Sequence, residues 1–288
     1  MMKLTTACSA SAALVLILLS NSARNVRALG SDEGKPDEAA LKEQREARLS
    51  AMRAQVETVV VRRQMDDDWT AVELSPEPLF RYADVPRGIL DASLWCWGAK
   101  GRPVALTKLE MVKASANVAA QWQYCAASLA ERPVWIAWPT RPRFVSSKAG
   151  LELHTILESP QPGDKPATRL RQMKDLVKRF SATIFIDGKE ALKQEMRQLA
   201  SPIHRYADDA TGLVDGAIFG FSTNGTNPDV LLLIEARSAK EAPPQWQYGI
   251  VGMTYAEAHV RLDRTEVFEV PFPPQFDTWA LWHVPRNE

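Results

Sequence analysis

The amino-acid sequence predicts an α+β protein built from two tandem homologous domains, each a helix packed on an antiparallel β-sheet. Three observations lead there. First, one segment recurs at an offset of 124 residues: Pro78, Arg81, Tyr82, Ala83, Asp84, Gly88, Asp91 and Gly101 return as Pro202, Arg205, Tyr206, Ala207, Asp208, Gly212, Asp215 and Gly225, eight identities in 24 ungapped positions. Second, Gln121-Trp122-Gln123-Tyr124 returns at the same offset as Gln245-Trp246-Gln247-Tyr248. Third, both copies are preceded by apolar residues spaced three and four apart, Leu49, Met52 and Val56 in one and Met173, Leu176 and Phe180 in the other, which is one face of a helix. Self-similarity at so long a period decides the architecture before any single element is assigned.

In chain order, residues 1–23 carry Lys3, a dense apolar core from Leu14 to Leu19 and the small residues Ser20, Ser22 and Ala23, the pattern of a secretory signal peptide. The apolar run is about half the roughly 20 residues that a membrane-spanning helix needs. The chain is therefore expected to be secreted or periplasmic, with no membrane span after cleavage. Residues 24–40, with Gly30, Gly34, Pro36 and alternating charges, read as a flexible lead-in. The first repeat domain spans 41–158. Its helix runs into the β-branched stretch 58–61, and Trp95 and Trp97 alternate at period two on a strand. A glycine-containing turn, strands near 104–109 and 121–124, and a closing strand near 134–138 follow. Residues 159–167, with Pro160, Pro162, Gly163 and Pro166, hold neither helix nor ladder and read as the linker. The second repeat domain, 168–288, copies the order, and its wholly apolar 230–234 reads as a strand buried on both faces. Trp95, Trp97, Trp122, Tyr124, Phe219, Phe221, Trp246 and Tyr248 are the expected core aromatics.

The Arg-Tyr segment, Asp215-Gly216-Ala217-Ile218-Phe219, the run from Gly225 to Glu235 and the later Trp-x-Tyr resemble predicted secreted proteins of planctomycete-type bacteria, over most of the mature chain. The resemblance implies a secreted protein and brings no activity, ligand or catalytic residue with it.

The 35 basic and 35 acidic side chains leave a formal charge of zero, and without a basic stripe nucleic acid is not an expected partner. Charged residues kept in both copies are the candidate site residues: Arg81, Asp84, Asp91 and Glu110, with Arg205, Asp208, Asp215 and Glu235. Arg81 with Asp84, and Arg205 with Asp208, are expected ion pairs on a turn, or a guanidinium fork for a ligand carboxylate. Asp91 and Asp215 stand ahead of strands, where Asp caps a turn or lines a site mouth. Glu110 and Glu235 end the central strands, where a buried acid is a candidate general acid. His154, His204, His259 and His283 are scattered outside any paired ligand spacing, so no metal or other cofactor is expected. Asp66-Asp67-Asp68 reads as a solvated acidic turn rather than a Ca²⁺ loop. Trp135, Trp138, Trp279 and Trp282 have no aligned aromatic and are the tryptophans to examine as a binding surface. Cys96 and Cys125 are expected to form a disulfide, since both align with glycines, Gly220 and Gly249, and export places them in an oxidising compartment. The expected function is a non-catalytic binding or interaction protein for a protein or glycan partner. The alternatives are an extracytoplasmic hydrolase using the repeated acids and a cell-envelope scaffold.

Overall fold

The computed structural model describes residues 38–98, 100–113, 121–138, 144–145, 150–239, 242–271 and 280–283. The expected signal peptide and most of the expected lead-in lie outside them. The chain divides into two compact units, Met1–Gln44 and Arg45–Glu288. The described part of the first is the opening turns of helix α1 (Glu38–Val56). The second holds the rest of α1, helix α2 (Pro166–Val177) and all the described strands.

Those strands are β1 (Val60–Met65), β2 (Asp68–Val72), β3 (Phe80–Asp84), β4 (Ile89–Trp97), β5 (Ala105–Val112), β6 (Gln121–Ser128), β7 (Val134–Ala137), β8 (Phe144–Val145) and β9 (His154–Thr155). After α2 come β10 (Phe180–Phe185), β11 (Lys193–Gln198), β12 (His204–Asp208), β13 (Leu213–Ser222), β14 (Val230–Ala239), β15 (Ala242–Gly252), β16 (Glu257–Leu262), β17 (Thr265–Val270) and β18 (Ala280–His283).

The expected α+β class and its two separate helix-on-sheet domains are overturned. The protein is mostly β, its strands curl into a large half-barrel, two α-helices occur among the described residues, and both halves sit in one compact unit. Two physical reasons account for the error. The hairpin partners β2 and β11 are largely exposed, and β11, Lys-Gln-Glu-Met-Arg-Gln, carries no apolar alternation to read. More important, the face of each central sheet turned away from its helix is covered by the other half: Leu94, Leu106 and Ala127 pack in one core with Ile218, Leu231, Leu233 and Val251. A shared core layer makes one folding unit of what looks in sequence like two.

Strand order in the two halves corresponds. The first half has ladders β2-β1-β7-β8 and β6-β5-β4-β3; the second has β11-β10-β16-β17 and β15-β14-β13-β12, joined where β11 pairs with β13. Each central sheet has a helix on its outer face. Val56 lies with Trp95, Trp97, Val134 and Ile136, while Met173, Leu176 and Val177 lie with Phe219, Phe221, Leu232 and Trp246. Pro166 opens α2 at a position where a missing N–H costs nothing. The linker is tied down there, since Arg169 donates to the carbonyls of Gly163 and Asp164 and Gln172 to that of Gln161. Phe180, read with the helix face, opens β10 instead.

The edges are exchanged. β9, which follows the first half, pairs with β15 of the second, and β18, which ends the second, pairs with β6 of the first.

Six of the eight expected core aromatics are buried: Trp95, Trp97, Phe219, Phe221, Trp246 and Tyr248. Trp122 and Tyr124 are only half-buried, a correction: Tyr124 packs against the margin of the helix-face core, where its hydroxyl donates to Gln55 Oε1 of α1 at 2.9 Å.

The expected disulfide is also overturned, because Cys96 and Cys125 are buried free thiols. Cys96 stands opposite Leu106, and Cys125 opposite Lys108, so β5 runs between them. Two strand spacings of about 4.8 Å put the Cα atoms beyond the roughly 7 Å a disulfide spans. Burial raises both thiols above their ordinary value. Their glycine counterparts stand where neighbouring side chains crowd the backbone. A Cβ at Gly220 would come within 2.8 Å of Leu199, and one at Gly249 within 2.6 Å of Leu151, so these two positions leave no room for a side chain.

Candidate functional site

The retained charges separate onto the two faces of each central sheet. On the helix face, Arg81 Nε donates to Asp91 Oδ1 at 2.9 Å and its Nη2 donates to the Arg45 carbonyl of α1 at 2.7 Å. The second half repeats this: Arg205 Nε donates to Asp215 Oδ1 at 2.9 Å and Nη2 to the Pro166 carbonyl of α2 at 2.7 Å. Arg205 Nη2 also donates to Asp215 Oδ2 at 2.5 Å, and Arg169 adds a third bond to this carboxylate, Nε to Oδ2 at 2.9 Å. These are clamps between helix and sheet. Arg81 and Arg205 therefore pair with Asp91 and Asp215, not with Asp84 and Asp208 as expected. A shift of register in β4 and β13 turns the two acids toward the arginines, inside the strands rather than ahead of them. Hydrogen bonding to Asp215 raises Arg205 above its ordinary value.

On the inner face, Tyr82 donates to Glu110 Oε1 at 2.8 Å and Tyr206 to Glu235 Oε1 at 2.8 Å, all four residues buried. Burial, reinforced by the adjacent carboxylates, pushes both phenols well above their usual value. Burial also raises Glu110, with Lys108 and the Tyr82 hydroxyl opposing it. The eight candidate residues are thus divided between two faces and four separate locations, and the described structure brings no set of them into one open pocket.

The ends of the two Tyr–Glu pairs differ. Beside Glu110, the 223–229 loop of the second half inserts Asn227 and Asp229. Arg87, in the helical turn after β3, grips Asp229 with Nη1 and Nη2, both at 2.9 Å, and its Nε donates to Asp84. Burial opposes the charge on Arg87, but Asp229 and Asp84 outweigh it and hold the guanidinium above its ordinary value. Lys108, fully buried, donates to Asn227 Oδ1 at 2.7 Å and to the Met253 carbonyl at 2.9 Å, and lies 5.7 Å from the Tyr82 ring centre. This end is sealed.

Beside Glu235, the 98–104 loop of the first half reaches across in the same way but brings Arg102. Between this loop, the 129–132 segment, the turn at Asp208 to Thr211 and β14 lies a cavity of about 440 Å³. Its walls carry Arg63, Lys100, Arg102, Arg132 and Arg237 against two acids, Glu131 and Asp208. Arg102 Nη2 donates to Glu131 Oε1 at 2.5 Å and its Nε lies 3.4 Å from Glu235 Oε1, while Nη1 is buried with no partner. Arg237 Nη1 donates to Glu235 Oε2 at 3.2 Å.

The glycines kept in both copies explain the loop approach. Gly101 (φ 70°) would place a Cβ 3.0 Å from that of Asp208, and Gly225 (φ 55°) would place one 2.6 Å from the Ala83 carbonyl oxygen. Each loop tip therefore rests on the strand-to-turn junction of the opposite half, which only glycine allows.

Sequence reasoning missed the cavity because it looked for what both copies share. Arg102 and Arg237 have no basic counterparts, their aligned residues being Thr226 and Val112, so the available signal was charge present in one copy alone. Of the tryptophans singled out for a surface, Trp138 is buried and Trp135 is half-buried under Arg62, whose guanidinium lies 5.4 Å from the ring centre. Trp279 and the side chain of Trp282 lie outside the described residues. Asp66 and Asp67 form the β1–β2 turn, with Arg132 donating to Asp66. Among the described residues no group of three His, Cys, Asp or Glu side chains is placed to hold a metal ion, and no helix is long and apolar enough to cross a membrane. Comparisons with protein families, with curated proteins and with solved structures return no match for this chain.

Proposed function

We propose that the protein is a secreted or periplasmic, non-catalytic binding protein whose ligand seat is the cavity between the 98–104 loop and β14. The observation that carries this reading is the cavity itself. It is the size of ordinary small-molecule sites, which favour junctions between structural halves. Its walls supply charge and hydrogen-bond donors but no nucleophile beside a base. The hydrolase alternative loses support because Asp91 and Asp215 are committed to the helix clamps and Glu110 is enclosed. Thermal-shift screening of the full chain against small anionic, cationic and neutral metabolites tests the reading. A stabilising compound whose effect disappears on substituting Arg237 supports it. Stabilisation that is indifferent to every cavity substitution, or hydrolytic turnover of the bound compound, refutes it.

A further inference from the structure

The sealed end of the molecule encloses a primary amine where the other half has a hydrocarbon. Lys108 pairs across its ladder with Leu94, as Leu233 pairs with Ile218, and both Lys108 and Leu233 are fully buried. An amine in that layer is costly, and its nearest acid does little to offset it: Asp229 lies 3.9 Å away with both oxygens held in the Arg87 fork. Instead, Lys108 Nζ donates to Asn227 Oδ1 at 2.7 Å. With an amide C=O length of about 1.2 Å, the carboxamide carbon stands no more than about 4 Å from that nitrogen. Asn227 is 1% exposed, on the loop that the second half inserts. Its counterpart at the 124-residue offset is Pro103, so amine and amide meet at this end alone. A carboxyl completes the group. Glu110 lies two residues along β5 and so on the same face as Lys108. Its Oε1 accepts from Tyr82, while Oε2 is buried with no partner.

We infer that Lys108 and Asn227 become joined by an intramolecular amide bond, Nζ to Cγ, which the folded protein forms by itself with Glu110 as the proton carrier. The requirements of such a reaction meet here: an amine removed from water, a carboxamide fixed against it, and an acid that holds a proton in the same enclosure. Burial raises the Glu110 carboxyl above its ordinary value, which suits it to that part. The step balances without oxidant or reductant. Glu110 takes one proton from the Lys108 ammonium, and the amine nitrogen attacks the Asn227 carboxamide carbon. A second proton passes from Nζ to Nδ2, the Cγ–Nδ2 bond breaks and ammonia leaves, carrying off the Glu110 proton as ammonium. The product is a neutral amide in place of a buried charge, and it ties β5 of the first half to the 223–229 loop of the second.

The test is mass spectrometry of the purified full chain, intact and after trypsin. The expected intact mass is below that of its residues by one ammonia, about 17 Da, the leaving group of the amine's attack. Trypsin no longer cuts after Lys108, so a branched product joins residues 101–113 to residues 206–237. Lys108→Met and Asn227→Ala give linear peptides alone. Glu110→Gln, which still accepts from Tyr82, melts cooperatively and stays unlinked. Recovery of linear 101–108 and unmodified 206–237 from the folded wild type overturns the bond, and this result needs no variant to fold. A mass deficit that persists in Lys108→Met overturns it as well, since the ammonia then comes from another amide. Linked product in Glu110→Gln at the wild-type level overturns the proton route through Glu110.

Discussion

Asp229→Ala tests whether the sealed junction holds the two halves together. The carboxylate is 1% exposed and takes both prongs of the Arg87 guanidinium at 2.9 Å, across the boundary between halves. Removing one partner of a buried pair costs about 3 to 5 kcal/mol, because the other charge is left enclosed. The structure argues for the lower end. Arg87 keeps some contact with solvent, at 28% exposure, and retains Asp84; Lys108, 3.9 Å from Asp229, keeps Asn227 and the Met253 carbonyl. The expected loss is about 3 kcal/mol, which for a chain of this size lowers Tm by about 6 to 12 °C. Urea denaturation followed by tryptophan fluorescence reads it, and a double-mutant cycle with Arg87→Met isolates the pair. In the cycle, Arg87→Met with Asp229→Leu should recover only part of the loss, since the buried Asp84 then lacks its Arg87 partner and Lys108 its nearest carboxylate. A single-variant loss below about 1 kcal/mol, the range of exposed ion pairs, refutes the account of the junction.

Three further outcomes are expected. Trp246→Ala should cost about 3 to 5 kcal/mol by denaturation, the range for a large aromatic truncated in a packed core; a melting curve matching the wild type would place the residue at the surface. Alkylation of the unreduced, denatured protein should label both Cys96 and Cys125, and a linked peptide containing the two would refute the strand order β4-β5-β6. Burial holds the Glu110 carboxyl above its ordinary value, so the folded state retains a proton that the unfolded chain releases above about pH 4.3. Stability therefore falls as pH rises from there through the raised folded value. Glu110→Gln, which still accepts from Tyr82, removes that loss, and a stability difference from wild type that does not move in the variant's favour over this window refutes the assignment.

The local elements were legible where their chemistry is strong. The 52–56 and 173–177 helix faces, the alternating Trp95 and Trp97 and the apolar 230–234 follow from period alone. What was not legible depends on contact across the sequence. Cys96 and Cys125 look like a bonded pair because both are gained together, whereas they pack separately into the layer between the halves, with β5 running between them. Arg81 reads as the partner of Asp84 because they are close in sequence. Only the register shift in β4 brings Asp91 to it instead. The cavity was invisible for a further reason. Repetition draws attention to Arg81, Tyr82 and Glu110, which build the frame twice, while the binding candidates Arg102 and Arg237 occur where the copies have diverged.

The exchanged edge strands make the order of the chain matter in a way that neither half does alone. A nick anywhere between β9 and α2 leaves two fragments, each carrying the strand that finishes its neighbour's sheet and lacking the one that finishes its own. Such fragments complement each other when mixed, and the nicked protein stays associated on dilution. Kept apart, the first fragment presents the bare edge of β6 and the second the bare edge of β15, and uncovered edges recruit other chains. Linking proximity to completion in this way discourages the halves from being separated by proteolysis, shuffled into other proteins or expressed singly, and it keeps the cavity between them intact.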